Sequence, residues 1–297
     1  MLLEKLIEEA IQRPDKVVAV AASEDHEVIH AIVMALERDL ASFQLFGDKE
    51  KTLSLLKEFN LETSDKLKVM PCYTPEESAV KAVQAVNSGQ ADVLMKGMIP
   101  TARILKAVLN KEYGLRTGKV LSHVAAFDIT GYDRLVFITD AAMNIAPDLQ
   151  QKAEIIQNAV NIATSIGVEE PKVAPITAVE TVNPAMEATL DAAALTQMNR
   201  RGQIKNCYVD GPLALDNAVS LEAAEHKGIS GEVAGKADIL LVPNIETGNA
   251  LYKSLIYFAR AKVGAVIAGA KAPIVLTSRA DSAESKLYSI ALAVRAV

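Results

Sequence analysis

The chain has 297 residues, of which 50% are apolar, so it can bury a large core, and its length favours two domains over one. A net charge of −6, an aromatic content of 4% and the lack of Trp argue against a surface that binds nucleic acid. The two lone cysteines, the shortness of the apolar runs and the lack of an export signal lead us to expect a cytoplasmic protein.

Short apolar runs alternate with stretches of helical period along nearly the whole chain. Such runs of Val, Ile, Leu and Ala between helices are typical of buried parallel strands with helices on both faces. We therefore predict an α/β fold with mostly parallel sheets. The predicted strands are 16–20, 91–95, 135–139, 172–176, 207–209, 239–242, 265–267 and 274–276, and the predicted helices are 26–40, 75–88, 102–110, 148–166, 186–197, 220–227, 248–262 and 283–297.

The boundaries between domains are poorly marked, because neither a low-complexity linker nor a repeat of fixed period occurs. A cut near 144–147, after a strand and before a long helix, is the most reasonable one. We expect residues 1–144 together with the last helix, 283–297, to form a first lobe. Residues 145–282 then form the second lobe.

One short sequence echo links the two predicted lobes. The segments QADVLMKG (90–97) and KADILLVP (236–243) resemble each other at four positions, which include Asp92 and Asp238. They are either strand starts at equivalent places in two similar lobes or a chance match.

Polar residues follow the predicted strand 91–95. Lys96 and Gly97 end this strand, and Thr101 starts the helix after it. Glycine lets a backbone approach a ligand closely and lysine supplies a positive charge, so the three residues are candidates for substrate binding. A solvated lysine at a strand end explains Lys96 equally well, and the glycine-rich loop that cradles nucleotide phosphates is not matched.

A serine and a histidine, Ser122 and His123, are adjacent in an apolar segment. Neighbouring side chains on a strand point to opposite faces, so these two cannot form a catalytic dyad. We interpret His123 as a hydrogen-bonded packing residue or as a substrate contact.

Two later strands also end in polar loops. Asp140 and Asn144 follow the strand 135–139, and there we interpret Asp148 as a helix cap and Asp140 as the better site candidate. The loop after the strand 239–242 offers further candidates for substrate binding. These are Asn244, Glu246, Gly248 and Asn249.

The most distinctive segment is the strand 274–276 with the residues that follow it. Ser278, Arg279 and Asp281 leave the carboxyl end of this strand beside the start of a helix. Open α/β sheets bind ligands at such ends, and a helix N-terminus with an arginine favours an anion such as phosphate. We therefore predict that Ser278 and Arg279 bind an anion and that Asp281 is a candidate proton acceptor. A helix cap explains Asp281 equally well.

Metal and redox-cofactor chemistry is not indicated. The four histidines are scattered, the cysteines lack metal-ligand spacing, and the Gly-x-Gly-x-x-Gly fingerprint of dinucleotide binding does not occur. We expect no metal and no tightly bound cofactor.

Six segments in a fixed order give the chain a resemblance to the phosphate acyltransferases, the family of phosphate acetyl- and butyryltransferases. The resemblance spans essentially the whole chain and is strongest to the butyryl-transferring members. The six segments are DVLMKG (92–97), SHVAAFD (122–128), ITDAAMNIAPD (138–148), VDGPLALDNAVS (209–220), DILLVPNIETGN (238–249) and GAKAPIVLTSRADS (269–282).

The resemblance implies two α/β lobes around a deep cleft, similar to the isocitrate and isopropylmalate dehydrogenases, in a homodimer or higher homo-oligomer. It implies the reversible reaction of an acyl-CoA with phosphate to give an acyl phosphate and free CoA, by direct transfer in a ternary complex. Butyryl is the acyl group we expect. The alternatives are acetyl transfer and a non-catalytic relative that senses acyl-CoA or serves dimerisation.

The resemblance also assigns roles near the last strand. In the phosphate acetyltransferases a Ser-Arg pair there binds the phosphoryl group, and it corresponds to Ser278 and Arg279. The proposed base for the CoA thiol in that family is an Asp six residues beyond this Arg, and here that position is Ser285. The assignment of the base is therefore open between the acidic neighbours Asp281 and Glu284.

Overall fold

The computed structural model describes residues 2–13, 15–61, 64–278 and 280–297. The chain divides into two compact units. Unit 1 comprises Met1–Lys119 and Val263–Val297, and unit 2 comprises Val120–Lys262. Both units are built from alternating helices and strands, which confirms the predicted α/β class.

Eleven strands occur in the described part of the chain. They are β1 (Val17–Ala21), β2 (Ser42–Gly47), β3 (Leu67–Pro71), β4 (Val93–Lys96), β5 (Ser122–Asp128), β6 (Val136–Thr139), β7 (Lys172–Pro175), β8 (Tyr208–Val209), β9 (Ile239–Leu241), β10 (Lys262–Ala268) and β11 (Ile274–Val275). The strand order is β3-β2-β1-β4-β11-β10 in unit 1 and β5-β6-β9-β7-β8 in unit 2. The pairs β10–β11 and β5–β6 are antiparallel and the other described pairs within each unit are parallel, as predicted.

Eleven helices occur in the same described ranges. They are α1 (Leu2–Ile11), α2 (His26–Glu37), α3 (Lys49–Glu58), α4 (Pro75–Asn87), α5 (Thr101–Val108), α6 (Leu149–Ser165), α7 (Glu187–Arg200), α8 (Leu215–Val219), α9 (Leu221–His226), α10 (Ile245–Tyr257) and α11 (Ala283–Arg295). All eight predicted helices are confirmed, with the largest displacement at α10. Within the described residues, no helix is both long and apolar enough to cross a membrane.

The boundaries of the two units differ from the predicted ones. Residues 120–144 group with unit 2, because β5 and β6 pair as an antiparallel hairpin and β6 also pairs with β9. Residues 263–282 group with unit 1, because β11 pairs with both β4 and β10. Unit 1 is thus assembled from both ends of the chain, and α11 packs there against α1 and α2.

Tyr288 of α11 is fully buried in the core of unit 1. A Cβ atom added to Gly264 of β10 would lie 2.8 Å from the carbonyl carbon of Tyr288, so only glycine lets β10 pack this closely on α11. The Tyr288 hydroxyl lies 2.7 Å from Oε1 of Glu4 in α1. The backbone and the side chain of this one residue therefore link α11 to β10 and to α1.

The sequence echo between the two predicted lobes has a physical basis. Asp92 directly precedes β4, and its Oδ2 accepts a hydrogen bond from Val17 N at 2.9 Å, while Asp92 N donates to Val17 O at 2.8 Å. Asp238 directly precedes β9 and makes the same pair of bonds with Lys172, also at 2.9 and 2.8 Å. Each aspartate thereby joins the start of its own strand to the start of the parallel neighbour, β1 or β7.

Candidate active site

Three parallel strands of unit 1, β1, β4 and β11, end side by side. Ala21 at the end of β1 is in register with Lys96 at the end of β4, and Val275 of β11 is in register with Met95. In the sheet, β2 and β3 lie on one side of β1 and β4 lies on the other, so the chain order of the strands reverses at β1. Open α/β sheets bind ligands at the carboxyl ends of the strands at such a switch point. The structure therefore brings the predicted site residues Lys96 and Ser278 to one edge of unit 1.

Lys96 and Gly97 form the end of β4. Lys96 is 5% exposed, and its Nζ donates to Gly97 O at 3.2 Å. A Cβ atom on Gly97 would lie 2.0 Å from Ala22 O, and Gly97 N donates to Ala21 O at 2.8 Å. Packing of β4 against the end of β1 thus requires glycine at this position whether or not a ligand is present. Lys96 supplies the positive charge at this edge.

The N-terminus of α5 lies just beyond the same edge. Its N-cap residue is Pro100, no side chain of the described residues caps it, and its first turn contains no acidic residue. Thr101, the first residue of α5, is exposed. Uncapped N–H groups at the positive end of a helix dipole are suited to an anion. Lys96 and this helix end therefore both offer positive charge to an anion at this edge.

The segment after β11 forms a turn that leads into α11. The Ser278 side chain is exposed, and Ser278 N donates to Oδ2 of Asp281 at 2.7 Å. The cap of α11 is Ser282, whose hydroxyl accepts from Ser285 N at 3.2 Å. Arg279 lies outside the described residues. Asp281 thus shapes the turn that presents Ser278 and does not cap the helix.

The other acidic neighbour of this turn, Glu284, also has a partner. Its Oε1 lies 3.1 Å from the hydroxyl of the buried Tyr288. Both residues considered as the base, Asp281 and Glu284, therefore already hold hydrogen bonds with the protein.

The remaining predicted site residues lie in unit 2. His123 is the second residue of β5, and the antiparallel pairing of β5 with β6 brings it beside Thr139, whose Oγ1 donates to His123 O at 2.8 Å. His123 is 7% exposed, and its ring meets that of Tyr252 edge-on with 5.8 Å between centroids. These contacts agree with the packing interpretation of His123.

Asp140 organises the turn that follows β6. Asp140 is 2% exposed, and its Oδ1 accepts from Ala142 N at 2.9 Å and from Met143 N at 3.0 Å. Oδ2 accepts from Asn144 N at 3.2 Å and from Asn144 Nδ2 at 2.6 Å. Asn144 Nδ2 also donates to Leu121 O at 2.8 Å. Asp140 therefore fixes the position of Asn144 and of the turn between them.

The polar segment after β9 is the start of α10 and not a loop ahead of it, which corrects the predicted start at Gly248. Asn244 is the N-cap, and its Oδ1 accepts from Thr247 N at 3.0 Å. A Cβ atom on Gly248 would lie 2.7 Å from Asp140 O, so glycine allows α10 to pack on the turn after β6. Glu246 and Asn249 are exposed on the first turn of this helix.

Covalent catalysis by a thiol is disfavoured on physical grounds. Burial raises the pKa of Cys207 to about 11 and also raises the pKa of Cys72. A thiol with a raised pKa stays protonated at neutral pH and is a poor nucleophile. Neither Cys72 nor Cys207 is one of the predicted site residues.

One residue near the turn after β11 is absent from the predicted site. Lys286 of α11 is 2% exposed and lies directly behind this turn. The signal in the sequence is its spacing, because Lys286 stands three residues after Ala283 and four before Ile290, on the apolar face of the helix.

Three known proteins are similar to this chain along nearly its whole length. A probable phosphate butyryltransferase of Bacillus subtilis is 60% identical over 99% of this chain and 97% of its own length. A phosphate acetyltransferase of Thermotoga maritima is 48% identical over 98% of each chain. Among solved structures, a branched-chain phosphotransacylase from Enterococcus faecalis V583 has a TM-score of 0.84 and 39% identity, covering 95% of this chain and 98% of that chain. A family model described as phosphate acetyl/butaryl transferase matches residues 73–294.

Proposed function

Because the chain belongs to the phosphate acetyl/butaryl transferase family, we propose that it transfers a short acyl group reversibly between coenzyme A and inorganic phosphate. The preferred reaction is butyryl-CoA plus phosphate giving butyryl phosphate plus CoA. The relative named for butyryl transfer is 60% identical and the one named for acetyl transfer is 48% identical, which favours butyryl over acetyl. Acetyl transfer is the alternative.

The observation that carries this proposal is the edge of unit 1 where β4 and β11 end as parallel neighbours. Three features there suit a phosphate anion: the charge of Lys96, the uncapped N-terminus of α5 at Thr101, and the exposed hydroxyl of Ser278. Arg279, next to Ser278 in sequence, adds a guanidinium that can bind two phosphate oxygens. We assign the phosphoryl group to this edge.

The reaction needs no covalent enzyme intermediate. A phosphate oxygen attacks the thioester carbonyl carbon, the new C–O bond forms, the C–S bond breaks, and the CoA thiolate leaves. The proton that phosphate carried ends on the CoA sulfur, so the two substrates balance the reaction between them. Ser278 and nearby N–H groups stabilise the oxyanion that forms at the carbonyl.

In the reverse reaction, Asp281 is not needed as a general base that takes the proton of the CoA thiol. The Asp281 carboxylate already accepts from Ser278 N and the Glu284 carboxylate lies against Tyr288. We propose that the thiol proton passes to the phosphate oxygen that departs from the acyl group, and that Asp281 acts by shaping the turn.

We further propose the remaining properties expected from the sequence. These are a cytoplasmic location, a homodimer or higher homo-oligomer, and the two-lobed fold of the isocitrate and isopropylmalate dehydrogenases. The two free cysteines and the parallel strands of both units support the first and the last of these. The unit-2 residues His123, Asn144, Glu246 and Asn249 stay candidates for contacts with acyl-CoA.

A thiol-release assay tests the reaction. We expect release of CoA from butyryl-CoA to depend on phosphate, and the value of kcat/KM for butyryl-CoA to exceed that for acetyl-CoA by about tenfold. Two further methylene groups, at about 0.8 kcal/mol of burial each, account for a ratio of this size. Isobutyryl-CoA in the same series tests the shape of the acyl pocket.

The controls separate the alternatives. Equal rates of thiol release with and without phosphate would identify a thioesterase and contradict the proposal. Binding of acyl-CoA without release in either condition would identify a non-catalytic acyl-CoA-sensing relative. A higher kcat/KM for acetyl-CoA would replace butyryl by acetyl and leave the reaction class intact.

A further inference from the structure

A buried lysine lies behind the turn that follows β11. Lys286 is 2% exposed, and its Nζ donates to the backbone oxygen of Ser278 at 3.4 Å and to the backbone oxygen of Asp281. These two residues are the two ends of the turn. One ammonium group on α11 therefore holds both ends of the turn to the helix.

Considered for stability only, the burial of the Lys286 ammonium group is unfavourable. Burial lowers the pKa of Lys286, against the opposing influence of the carboxylates of Asp281, Asp25 and Glu27 around it. A lowered lysine pKa means that the fold disfavours the charged form, so the group costs stability at neutral pH. The neighbouring buried residues of α11, such as Leu287 and Ile290, are apolar. An apolar residue at 286 would continue this face without that cost.

The contacts of Ser278 indicate what the lysine does. Ser278 N donates to the Asp281 carboxylate at 2.7 Å, and Ser278 O accepts from Lys286 Nζ at 3.4 Å and from Asp281 N at 3.2 Å. The Ser278 hydroxyl itself accepts from Ala280 N at 3.3 Å, so Lys286 adds to the bonds that hold Ser278 within the turn. The N-terminus of α11 is itself tied to α2, because Ala283 N donates to Oε2 of Glu27 at 3.0 Å.

We propose that Lys286 is the positioning residue for Ser278, holding the turn in the geometry that binds the phosphoryl group. The inference rests on the proposed function and adds to it a residue that does not touch substrate. Loss of the lysine leaves the backbone oxygen of Ser278 with Asp281 N as its donor and removes the Lys286 donor from the backbone oxygen of Asp281. The fold then survives while the turn loses its fixed geometry.

The test compares Lys286→Met with Lys286→Gln, both assayed for KM and kcat with phosphate and with butyryl-CoA. We expect Lys286→Met to raise the KM for phosphate about tenfold and to change the KM for butyryl-CoA less than twofold. Lys286→Gln keeps a donor for one carbonyl and should give an intermediate KM for phosphate. The melting temperature of Lys286→Met should equal or exceed that of the wild type.

A second buried lysine provides a matched control. Lys152 of α6 lies in unit 2, is 7% exposed and pairs with Asp191 at 2.5 Å between Nζ and Oδ2. Lys152→Met leaves that carboxylate without its partner, so it should lower the melting temperature and leave the KM for phosphate unchanged. The two substitutions are thus expected to have opposite signatures.

The outcomes distinguish this inference from the proposed function. A wild-type protein that shows no phosphate-dependent thiol release contradicts the proposed function itself. An active wild type with an unchanged phosphate KM in Lys286→Met contradicts only the role of Lys286. Equal losses toward phosphate and butyryl-CoA, accompanied by a lower melting temperature, would show a structural role and also overturn the inference.

Discussion

Asp281 and Asp140 both follow a strand, and in both the carboxylate is occupied by the protein's own N–H groups. Asp281 accepts from Ser278 N, and Asp140 accepts from three backbone N–H groups and from Asn144 Nδ2. A carboxylate whose oxygens accept nearby N–H groups fixes the conformation of the turn around it. The spacing of acidic residues in a sequence predicts where such groups lie, and the bonds they make decide what they do.

We predict different consequences for two substitutions of Asp281. Asp281→Asn retains an oxygen that can accept from Ser278 N, so the kcat/KM for phosphate should stay within about threefold of the wild type. Asp281→Ala removes the acceptor and should lower this value about tenfold. Steady-state kinetics at several phosphate concentrations measures both.

Large losses of kcat in both variants would instead identify Asp281 as the general base. In that case Asn and Ala would each lower kcat by about a hundredfold or more, because a general base contributes on the order of 10²–10⁴ in rate. The acidic limb of the pH profile of kcat would also disappear in both variants.

Capping explains which helix ends were predicted well. Asp148 was interpreted as a cap, and this is confirmed: Asp148 Oδ1 accepts from Gln151 N at 2.8 Å while Gln151 Oε1 accepts from Asp148 N at 2.9 Å. The structure corrects the predicted start of α10, because Asn244 caps that helix although the sequence pattern there indicates a loop. The side chains Ser, Asp and Asn mark both loops and caps, so the sequence alone leaves the choice open.

The cap of α6 gives a prediction about stability alone. Asp148→Ala removes the side-chain acceptor for Gln151 N but keeps the backbone N–H that donates to Gln151 Oε1. It should lower the free energy of unfolding by about 1 kcal/mol, seen as a melting temperature lower by about 2 °C. The KM for phosphate should not change. An unchanged melting temperature would mean that water replaces the cap without cost.

Three strands, β2, β3 and β5, are missing from the predicted ones, and for β2 and β3 the cause is visible in the sequence. β2 (SFQLFG) is interrupted by Gln44, and β3 (LKVMP) is a half-exposed edge strand that carries Lys68. Buried parallel strands are recognised by continuous apolar runs, and an edge strand with one wet face lacks that signal. The strands at the proposed phosphate site, β1, β4 and β11, lie inside the sheet and were predicted within one or two residues.

The order of the strands is the part of the fold that the sequence did not specify. Nothing in the local pattern of residues 272–276 indicates that β11 pairs with β4, more than 170 positions earlier in the chain, by the register of Val275 with Met95. This pairing brings Lys96 and Ser278 to the same end of the sheet. The sequence therefore predicts the two motifs but does not predict that they lie close together. The two-unit boundaries differ from the predicted ones for the same reason.

The bonds shared by Asp92 and Asp238 allow a prediction that spans both units. Burial raises the pKa of Asp238, so the fold favours its protonated form. Such a group costs stability as the pH rises through its folded-state pKa, and this cost vanishes below the pKa of the unfolded chain. Asp238→Asn retains the oxygen that accepts from Lys172 N. It should therefore melt at a higher temperature than the wild type at pH 7.

The pH dependence is the decisive measurement. The difference in melting temperature between Asp238→Asn and the wild type should shrink as the pH falls towards 4. Asp92→Asn, at the equivalent place in unit 1, is the matched variant for loss of a carboxylate without the same burial. A difference for Asp238→Asn that stays constant from pH 4 to 8 would contradict the assigned cause.

Unit 1 takes its sheet from both ends of the chain, and this has a consequence for the order of events during synthesis. Residues 120–262 are contiguous, so unit 2 has all of its strands available once they have left the ribosome. The sheet of unit 1 cannot be completed until β11 has been translated, because β11 lies between β4 and β10 and is the last strand of this unit in the chain. Until then one side of β4, which is apolar, has no strand to pair with, and the turn that we assign to phosphate is the last part of the proposed site to be made.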